Sequence, residues 1–160
     1  MAIKLRNGKP ASQSAIEHLE KLLGCKLSDS FLSFVRSHDG AVPEANTFKI
    51  GDKNGSGIRQ FIPITEIEKE RNYIENISSM AYPVATDDSG NFILIDESRA
   101  GAVYFWDHEL PLEMIQLASD FSVFLNNLAP FDINTVQLKP GQVKRVWIDP
   151  QFLKKLKSGE

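Results

Sequence analysis

Residues 87–109, DDSGNFILIDESRAGAVYFWDHE, decide the fold of this 160-residue chain. Residues 92–95 (FILI) and 103–106 (VYFW) are apolar at every position, and short polar turns precede and separate them. Strand side chains alternate between the two faces of a sheet, so an uninterrupted apolar run predicts a strand that is covered on both faces. Connections this short favour antiparallel neighbours. Together with residues 82–85, the two runs predict a β-meander with 92–95 as its central strand.

Helices are predicted on both sides of this meander. Apolar residues recur at helical spacing in four segments: 16–23, 28–38, 65–77 and 117–128. Ser14, Ser28 and Ser119 are the expected N-caps, because a serine hydroxyl can accept a hydrogen bond from the first helical turn. Gly24 is expected to end the first helix.

A β-hairpin is predicted between the second and third helices. Its strands are expected at 47–50 and 58–64, with 51–57 as a glycine-rich tip. Near the end of the chain, the pattern indicates a strand at 143–148 and a short basic helix at 150–157. No repeat or break in composition divides residues 1–160. The sequence therefore predicts a single α+β domain, a mostly antiparallel sheet with a central β-meander and helices packed around it.

The composition favours a cytoplasmic protein that needs neither metal nor disulfide to fold. Apolar residues make up 42% of the chain, which is enough for a core in a domain of this size. A lone cysteine, Cys25, cannot form an intrachain disulfide. The first residues lack the run of about 7 to 15 apolar residues of a signal peptide. No stretch of about 18 apolar residues indicates a membrane span.

Charge is unevenly distributed along the chain. Residues 61–130 hold 3 Lys and Arg against 12 Asp and Glu, a net charge of −9, whereas the segments before and after them are each +3. Nucleic-acid binding requires clustered basic residues, so direct contact with nucleic acid is not expected. A basic protein partner would suit this segment, including one that itself binds nucleic acid. The alternative is that these acids lie on solvated loops and keep the protein soluble.

The sequence predicts no catalytic residue, no metal and no cofactor. Asp107, His108 and Glu109 alternate in direction if the strand stays extended, so they cannot all bind one ion without a turn. Apart from Lys26, no neighbour of Cys25 in the sequence would lower the pKa of its thiol, and no G-x-S-x-G motif is present. The glycines of 51–57 lack the Lys-Ser/Thr ending of a phosphate-binding loop. An enzyme that uses Asp107 or His108 is the alternative.

The order of motifs resembles that of the SUKH superfamily. The resemblance covers about residues 27–128 and rests on five segments: LSDSFLSFVRSHDG (27–40), FIPI (61–64), YPVATDDSGNFILID (82–96), GAVYFWDHE (101–109) and LASDFSVFLNNL (117–128). The superfamily includes a fungal regulator of cell-wall synthesis and many bacterial immunity proteins of polymorphic toxin systems. Two positions depart from its usual pattern: Leu27-Ser28 replaces Leu-Pro, and Asp39-Gly40-Ala41 replaces an Asn-Gly-Gly turn.

This resemblance implies a non-catalytic domain that binds proteins. Bacterial members neutralise toxin domains, many of them nucleases, by stoichiometric binding, so the expected function is that of an immunity protein. The alternative is a regulatory or scaffold domain of the same fold in cell-wall or signalling assemblies. In both cases the expected partner is a protein, and neither a membrane nor nucleic acid is bound directly.

Acids at strand ends and turns, with neighbouring aromatic residues, are the candidate contacts for this partner. Complementary charge speeds association, and aromatic side chains often anchor interfaces. The predicted contact residues are Asp87, Asp88, Glu97, Trp106, Asp107, His108, Glu109 and Glu113. Trp106 fits a core position equally well.

Overall fold

A computed structural model describes residues 3–52, 54–132, 140, 147 and 149–151. This part of the chain contains two antiparallel sheets and α-helices. The helices are α1 (Gln13–Leu23), α2 (Asp29–His38), α3 (Ile67–Arg71) and α4 (Phe121–Asn126). None of the described helices has the length and apolar character to cross a membrane. The α+β class predicted from the sequence is confirmed.

The strands belong to two sheets. The small sheet pairs β1 (Leu5–Arg6) with β2 (Val42–Pro43). The large sheet contains β3 (Thr47–Ile50), β4 (Asn54–Phe61), β5 (Ala81–Asp87), β6 (Phe92–Asp96), β7 (Ala102–Trp106) and β8 (Met114–Ala118), in that spatial order. Each strand of the large sheet is antiparallel to its neighbours, so successive connections alternate between the two ends of the sheet.

The predicted meander is confirmed as β5–β6–β7. Ile93 lies opposite Phe105 and Leu94 lies opposite Tyr104, and every residue of β6 is buried. Ile93, Leu94 and Ile95 are completely inaccessible to solvent. Burial of an aliphatic side chain contributes about 1.5 to 3 kcal/mol, so this central strand is a major source of stability.

Aromatic side chains join the helices to the sheet. Phe121 of α4 is fully buried, and its ring centroid lies 5.1 Å from that of Phe34 and 5.3 Å from that of Phe31, both on α2. The ring centroid of Phe61, on β4, lies 5.9 Å from that of Phe121. These edge-on contacts are a favourable geometry for aromatic pairs. The cluster fixes α2 and α4 against the sheet.

Two helices begin at caps other than the predicted ones. The N-cap of α1 is Ser12, whose hydroxyl accepts a hydrogen bond from the Ala15 amide at 3.2 Å. The N-cap of α4 is Asp120, which accepts from the Val123 amide at 3.0 Å. Each helix is preceded by two possible N-caps, Ser12 and Ser14 for α1 and Ser119 and Asp120 for α4. The N-cap is the residue whose side-chain oxygen accepts from an amide of the first turn. Gly24 ends α1 with φ of 69°, as predicted.

Secondary structure differs from the prediction in three further places. Strand β4 begins at Asn54, four residues earlier than predicted, so the hairpin tip is shorter than expected. The predicted helix at 65–77 is limited to α3, which follows a 3₁₀ turn at Ile64–Glu66. Strand β8 occupies 114–118, part of which was expected to be helical. The predicted elements at 143–148 and 150–157 fall largely outside the described residues.

Candidate partner-binding surface at one end of the sheet

Three connections of the large sheet meet at the same end. They are the β3–β4 tip with Gly51 and Asp52, the β5–β6 turn (88–91) and the β7–β8 loop (107–113), which together are called the loop end below. Because neighbouring strands of an antiparallel sheet run in opposite directions, every second connection lies at the same end of the sheet. Seven of the eight predicted contact residues lie at or next to the loop end. Glu97 does not.

Glu97 follows β6 at the opposite end of the sheet. Five strand residues separate it from the loop end, a distance of roughly 20 Å at about 3.3 Å per residue. Its Oε1 accepts hydrogen bonds from the Tyr82 hydroxyl at 2.7 Å and the Ser28 amide at 2.9 Å. Burial, and then the charge of Glu97, hold the pKa of Tyr82 well above its usual value, so the phenol remains a donor. Glu97 thus joins α2 to β5.

Asp87 is a buried anchor of the β5–β6 turn. Only 4% of the residue is exposed. Its Oδ1 accepts from the backbone amides of Ser89 at 2.9 Å and Asn91 at 2.8 Å. Its Oδ2 accepts from the Asn91 side-chain amide and from the Ser56 hydroxyl, each at 2.9 Å. Both oxygens are therefore used inside the protein.

Asn91 extends this set of bonds to the β7–β8 loop. Its Oδ1 accepts from the His108 backbone amide at 3.2 Å and from the His108 ring at 2.8 Å. Because a carbonyl oxygen only accepts, Nδ1 of the ring carries the proton in this contact. Ser56, Asp87, Asn91 and His108 form a continuous chain that we name the turn network. It ties β4, the β5–β6 turn and the β7–β8 loop together.

Trp106 lies in the core beneath the loop. Its residue is 4% exposed, and its ring centroid is 5.9 Å from that of Phe92. The indole Nε1 donates to the carbonyl oxygen of Pro111 at 3.3 Å. The side chain therefore shapes the β7–β8 loop from below.

The exposed residues of the loop end combine acids with leucines. Leu112 is 82% exposed and Leu110 is 54% exposed, between the exposed acids Glu109 and Glu113. Asp88 is exposed on the neighbouring turn. These five residues are called the acidic-apolar patch below. The ion pairs seen among the described residues use other carboxylates, so this patch carries uncompensated negative charge.

Asp107 and His108 border the acidic-apolar patch. Asp107 is half-buried, and its Oδ1 accepts from the Glu109 amide at 2.9 Å. His108 is exposed, although Nδ1 is bound to Asn91. Within the part of the chain that the structure describes, no three His, Cys, Asp or Glu side chains converge as a metal site requires. Elsewhere, burial raises the pKa of the Cys25 thiol, which disfavours the reactive thiolate.

Sequence reasoning missed four residues of this surface. Leu110 and Leu112 are isolated leucines in a polar loop, and isolated surface leucines are common. Ser56 and Asn91 are polar residues of the turn network. The spacing of Asp87 and Asn91 around Gly90 was the available signal, since Asp side chains at turns often bind amides that follow them.

Comparison with known proteins assigns the family. Residues 10–127 match the SMI1 / KNR4 family (SUKH-1), and this match covers most of the chain. The protein therefore belongs to this family, which confirms the resemblance found in residues 27–128. A search of curated proteins finds no significant match. Family membership is consistent with a non-catalytic immunity or interaction module.

The pKa of Asp87 gives a testable pH dependence. Burial alone would raise the pKa of this carboxyl, but hydrogen bonds from Asn91, Ser56 and Ser89 outweigh it and leave the pKa below its usual value of 3.8. A carboxyl with a lowered folded pKa stabilises the fold fully above its unfolded pKa, and this contribution is lost as the pH falls through the folded value. We expect the free energy of unfolding of Asp87→Asn to fall less steeply than that of the wild type as the pH drops below about 4.

Urea titrations at neutral and acidic pH measure this effect as a difference between variants. Asp88→Asn is the matched control, because Asp88 is the exposed neighbour and its substitution should leave the pH dependence close to that of the wild type. Equal pH dependence in the wild type and Asp87→Asn would show that Asp87 has no lowered pKa.

Proposed function

We propose that this protein is a non-catalytic binding module that neutralises a cognate bacterial toxin by stoichiometric binding through the acidic-apolar patch. The observation that carries the proposal is the exposure of Leu110 and Leu112 between two acids. Exposed leucines gain free energy when a partner covers them, at about 25 cal/mol per Å² of apolar surface buried. The SMI1 / KNR4 family match supports a protein-binding role.

The turn network supports binding by holding the loop in place before the partner arrives. His108 is fixed to Asn91 at the start of the loop, and the Trp106 indole is bonded to Pro111 near its middle. A loop that is already ordered loses less conformational entropy on association. The exposed loop residues beside these two anchors, which are Glu109, Leu110, Leu112 and Glu113, can therefore contribute most of their contact energy to affinity.

Charge indicates the kind of toxin. The patch presents Asp88, Glu109 and Glu113 to solvent, and complementary charge raises the association rate of a basic partner. A nuclease domain has a basic surface because it must bind phosphates. An acidic inhibitor can cover that surface and exclude the nucleic acid without any chemical step.

Coexpression tests the proposal. The toxin domains encoded beside the gene are expressed in a sensitive bacterium with and without this protein. We expect growth to be restored by one of them, together with a one-to-one complex on size-exclusion chromatography. Failure to rescue growth from any adjacent toxin would refute the immunity function. Recovery of cell-wall or signalling proteins in its place would favour the scaffold alternative.

Reversal of charge in the patch should slow association with the toxin. We expect the double variant Glu109→Lys, Glu113→Lys to reduce the association rate constant by about 10- to 100-fold at low salt, because electrostatic steering is lost. Surface plasmon resonance at low and high ionic strength measures the rate constants. The difference from the wild type should shrink at high salt, where screening shortens the range of the interaction.

A second double variant controls for net charge. Glu44 and Glu75 are exposed acids outside the loop end, so Glu44→Lys, Glu75→Lys changes the net charge equally. We expect this control to associate at close to the wild-type rate. An equal loss in both double variants would mean that overall charge, and not the patch, guides the toxin.

A further inference from the structure

A groove separates the two edge strands of the large sheet. It has a volume of about 1030 Å³, and its lining includes Phe48 of β3, Leu117 of β8 and Phe124 of α4. A smaller pocket of about 290 Å³ continues toward the loop end and shares Gly55 and Ser56 with the groove. The space between β3 and β8 therefore opens onto the surface that carries the acidic-apolar patch.

The backbone of β3 points hydrogen-bonding groups into this groove. Thr47 and Ala129 exchange two hydrogen bonds, each with an N···O distance of 2.9 Å, on the side of β3 away from β4. Alternate residues of an antiparallel strand direct their N–H and C=O groups to the same side. The backbone N–H and C=O of Lys49 therefore point to the same side of β3 as those of Thr47. Gly55 of β4 lies opposite Lys49 in a pair without hydrogen bonds, and no described residue bonds to the Lys49 N–H or C=O on the outer side.

The segment that leads into Ala129 cannot extend this pairing to the next position. In an antiparallel ladder with Thr47 opposite Ala129, Asn127 would lie opposite Lys49. Asn127 caps α4 with helical dihedral angles, φ of −86° and ψ of −6°. A helical residue cannot supply the extended backbone that a ladder requires. Among the residues that the structure describes, Ala129 thus fills one position of the outer ladder, and none fills the next.

The groove and pocket combine an apolar floor with an acidic rim. Phe48, Phe105 and Ile115 contribute apolar surface, whereas Asp107 and Glu113 line the pocket at the loop end. An added strand places alternate side chains on opposite sides. A segment with apolar residues on one side and Lys or Arg on the other would match both surfaces.

We propose that the open edge of β3 at Lys49 receives an extended segment of the basic partner as an added strand. This inference rests on the proposed function and specifies how the toxin is held. The added strand pairs with the Lys49 backbone, lies along the groove toward the loop end and places its basic side chains near Asp107 and Glu113. The occupant is a segment of the partner, because its charge complements the acidic rim.

The test compares Lys49→Pro with Lys49→Ala. Both remove the same side-chain charge, but only proline removes the backbone donor. Proline is tolerated on an edge strand where the N–H points outward, and the preceding Phe48 is already extended. With the toxin domain encoded beside the gene as the probe, we expect Lys49→Pro to bind about 10- to 100-fold more weakly than Lys49→Ala. Isothermal titration calorimetry measures this ratio, and urea denaturation verifies the fold of both variants.

Amide exchange on the unsubstituted protein provides a second measurement that needs no variant. The Lys49 amide should exchange rapidly in the free protein and slowly in the toxin complex. Growth rescue with equal binding by both variants, or an unprotected Lys49 amide in the complex, would overturn strand addition while leaving the immunity function intact. Absence of rescue would refute the function itself. A wild-type dimer that Lys49→Pro dissociates would assign the edge to a second copy and overturn the partner assignment.

Discussion

Replacement of Asp87 by alanine is expected to lower the free energy of unfolding by about 3 kcal/mol. Four hydrogen bonds end on this carboxylate, from the amides of Ser89 and Asn91, the side chain of Asn91 and the hydroxyl of Ser56. Alanine leaves these donors without their acceptor, and each buried donor left unsatisfied costs about 1 to 3 kcal/mol before water replaces part of the loss. Urea denaturation followed by circular dichroism measures the change.

The adjacent acid provides the control for this prediction. Asp88→Ala removes the same chemical group from an exposed position one residue later, and a surface substitution of this kind usually changes stability by less than about 0.5 kcal/mol. If the two substitutions have equal effects, the turn network does not stabilise the fold. Loss of amide protection in residues 107–113 of Asp87→Ala would show that the network also orders the loop.

Phe121→Ala should be more damaging, with an expected loss of about 3 to 5 kcal/mol. The ring is fully buried and contacts aromatic rings from α2, β4 and α4. Removal of the ring leaves a cavity where three elements meet, and close packing prevents the neighbours from filling it completely. Chemical denaturation gives the free energy, and thermal unfolding should show a matching fall in Tm.

Val123→Ala on the same helix is the matched control. Val123 is 37% exposed, so its truncation should change stability by less than about 0.5 kcal/mol. A loss below about 1.5 kcal/mol for Phe121→Ala would be too small for a packed aromatic site and would contradict the position of α4.

The central part of the sheet could be predicted because its signal is local. Uninterrupted apolar runs at 92–95 and 103–106 predict strands that are covered on both faces, and the structure shows every residue of β6 and β7 buried. Short polar turns restrict the connection to antiparallel neighbours. Burial and connectivity could both be inferred from residues 82–106 alone.

Elements held by distant contacts could not be predicted in the same way. Residues 72–77 do not continue the helix, and the Arg71 side chain binds the carbonyl oxygens of Ser78, Ser79 and Ala81. Strand β8 is a half-exposed edge strand, and its last two residues, Leu117 and Ala118, overlap the predicted helix. Pairing with β7 outweighs the local helical preference of these two residues.

The candidate site could be located from the sequence, but the roles of its residues could not be assigned. In an antiparallel sheet, every second connection lies at the same end, so acids in those connections come together there. This explains the common position of Asp88, Asp107 and Glu109. Sequence does not reveal whether an acid at a strand end faces solvent or binds turn amides. Asp87 binds the amides of its own turn, and Glu97 accepts from the Ser28 amide at the start of α2.

The separation of buried turn anchors from exposed loop side chains has an evolutionary consequence. Asp87, Asn91 and Trp106 maintain the shape of the loop end from inside, whereas Leu112 and Glu113 make their side chains available outside. Surface substitutions are inexpensive in stability, so the outer set can diversify while the inner set is retained. The exposed side chains of the loop end can therefore change in identity while the buried scaffold beneath them stays the same.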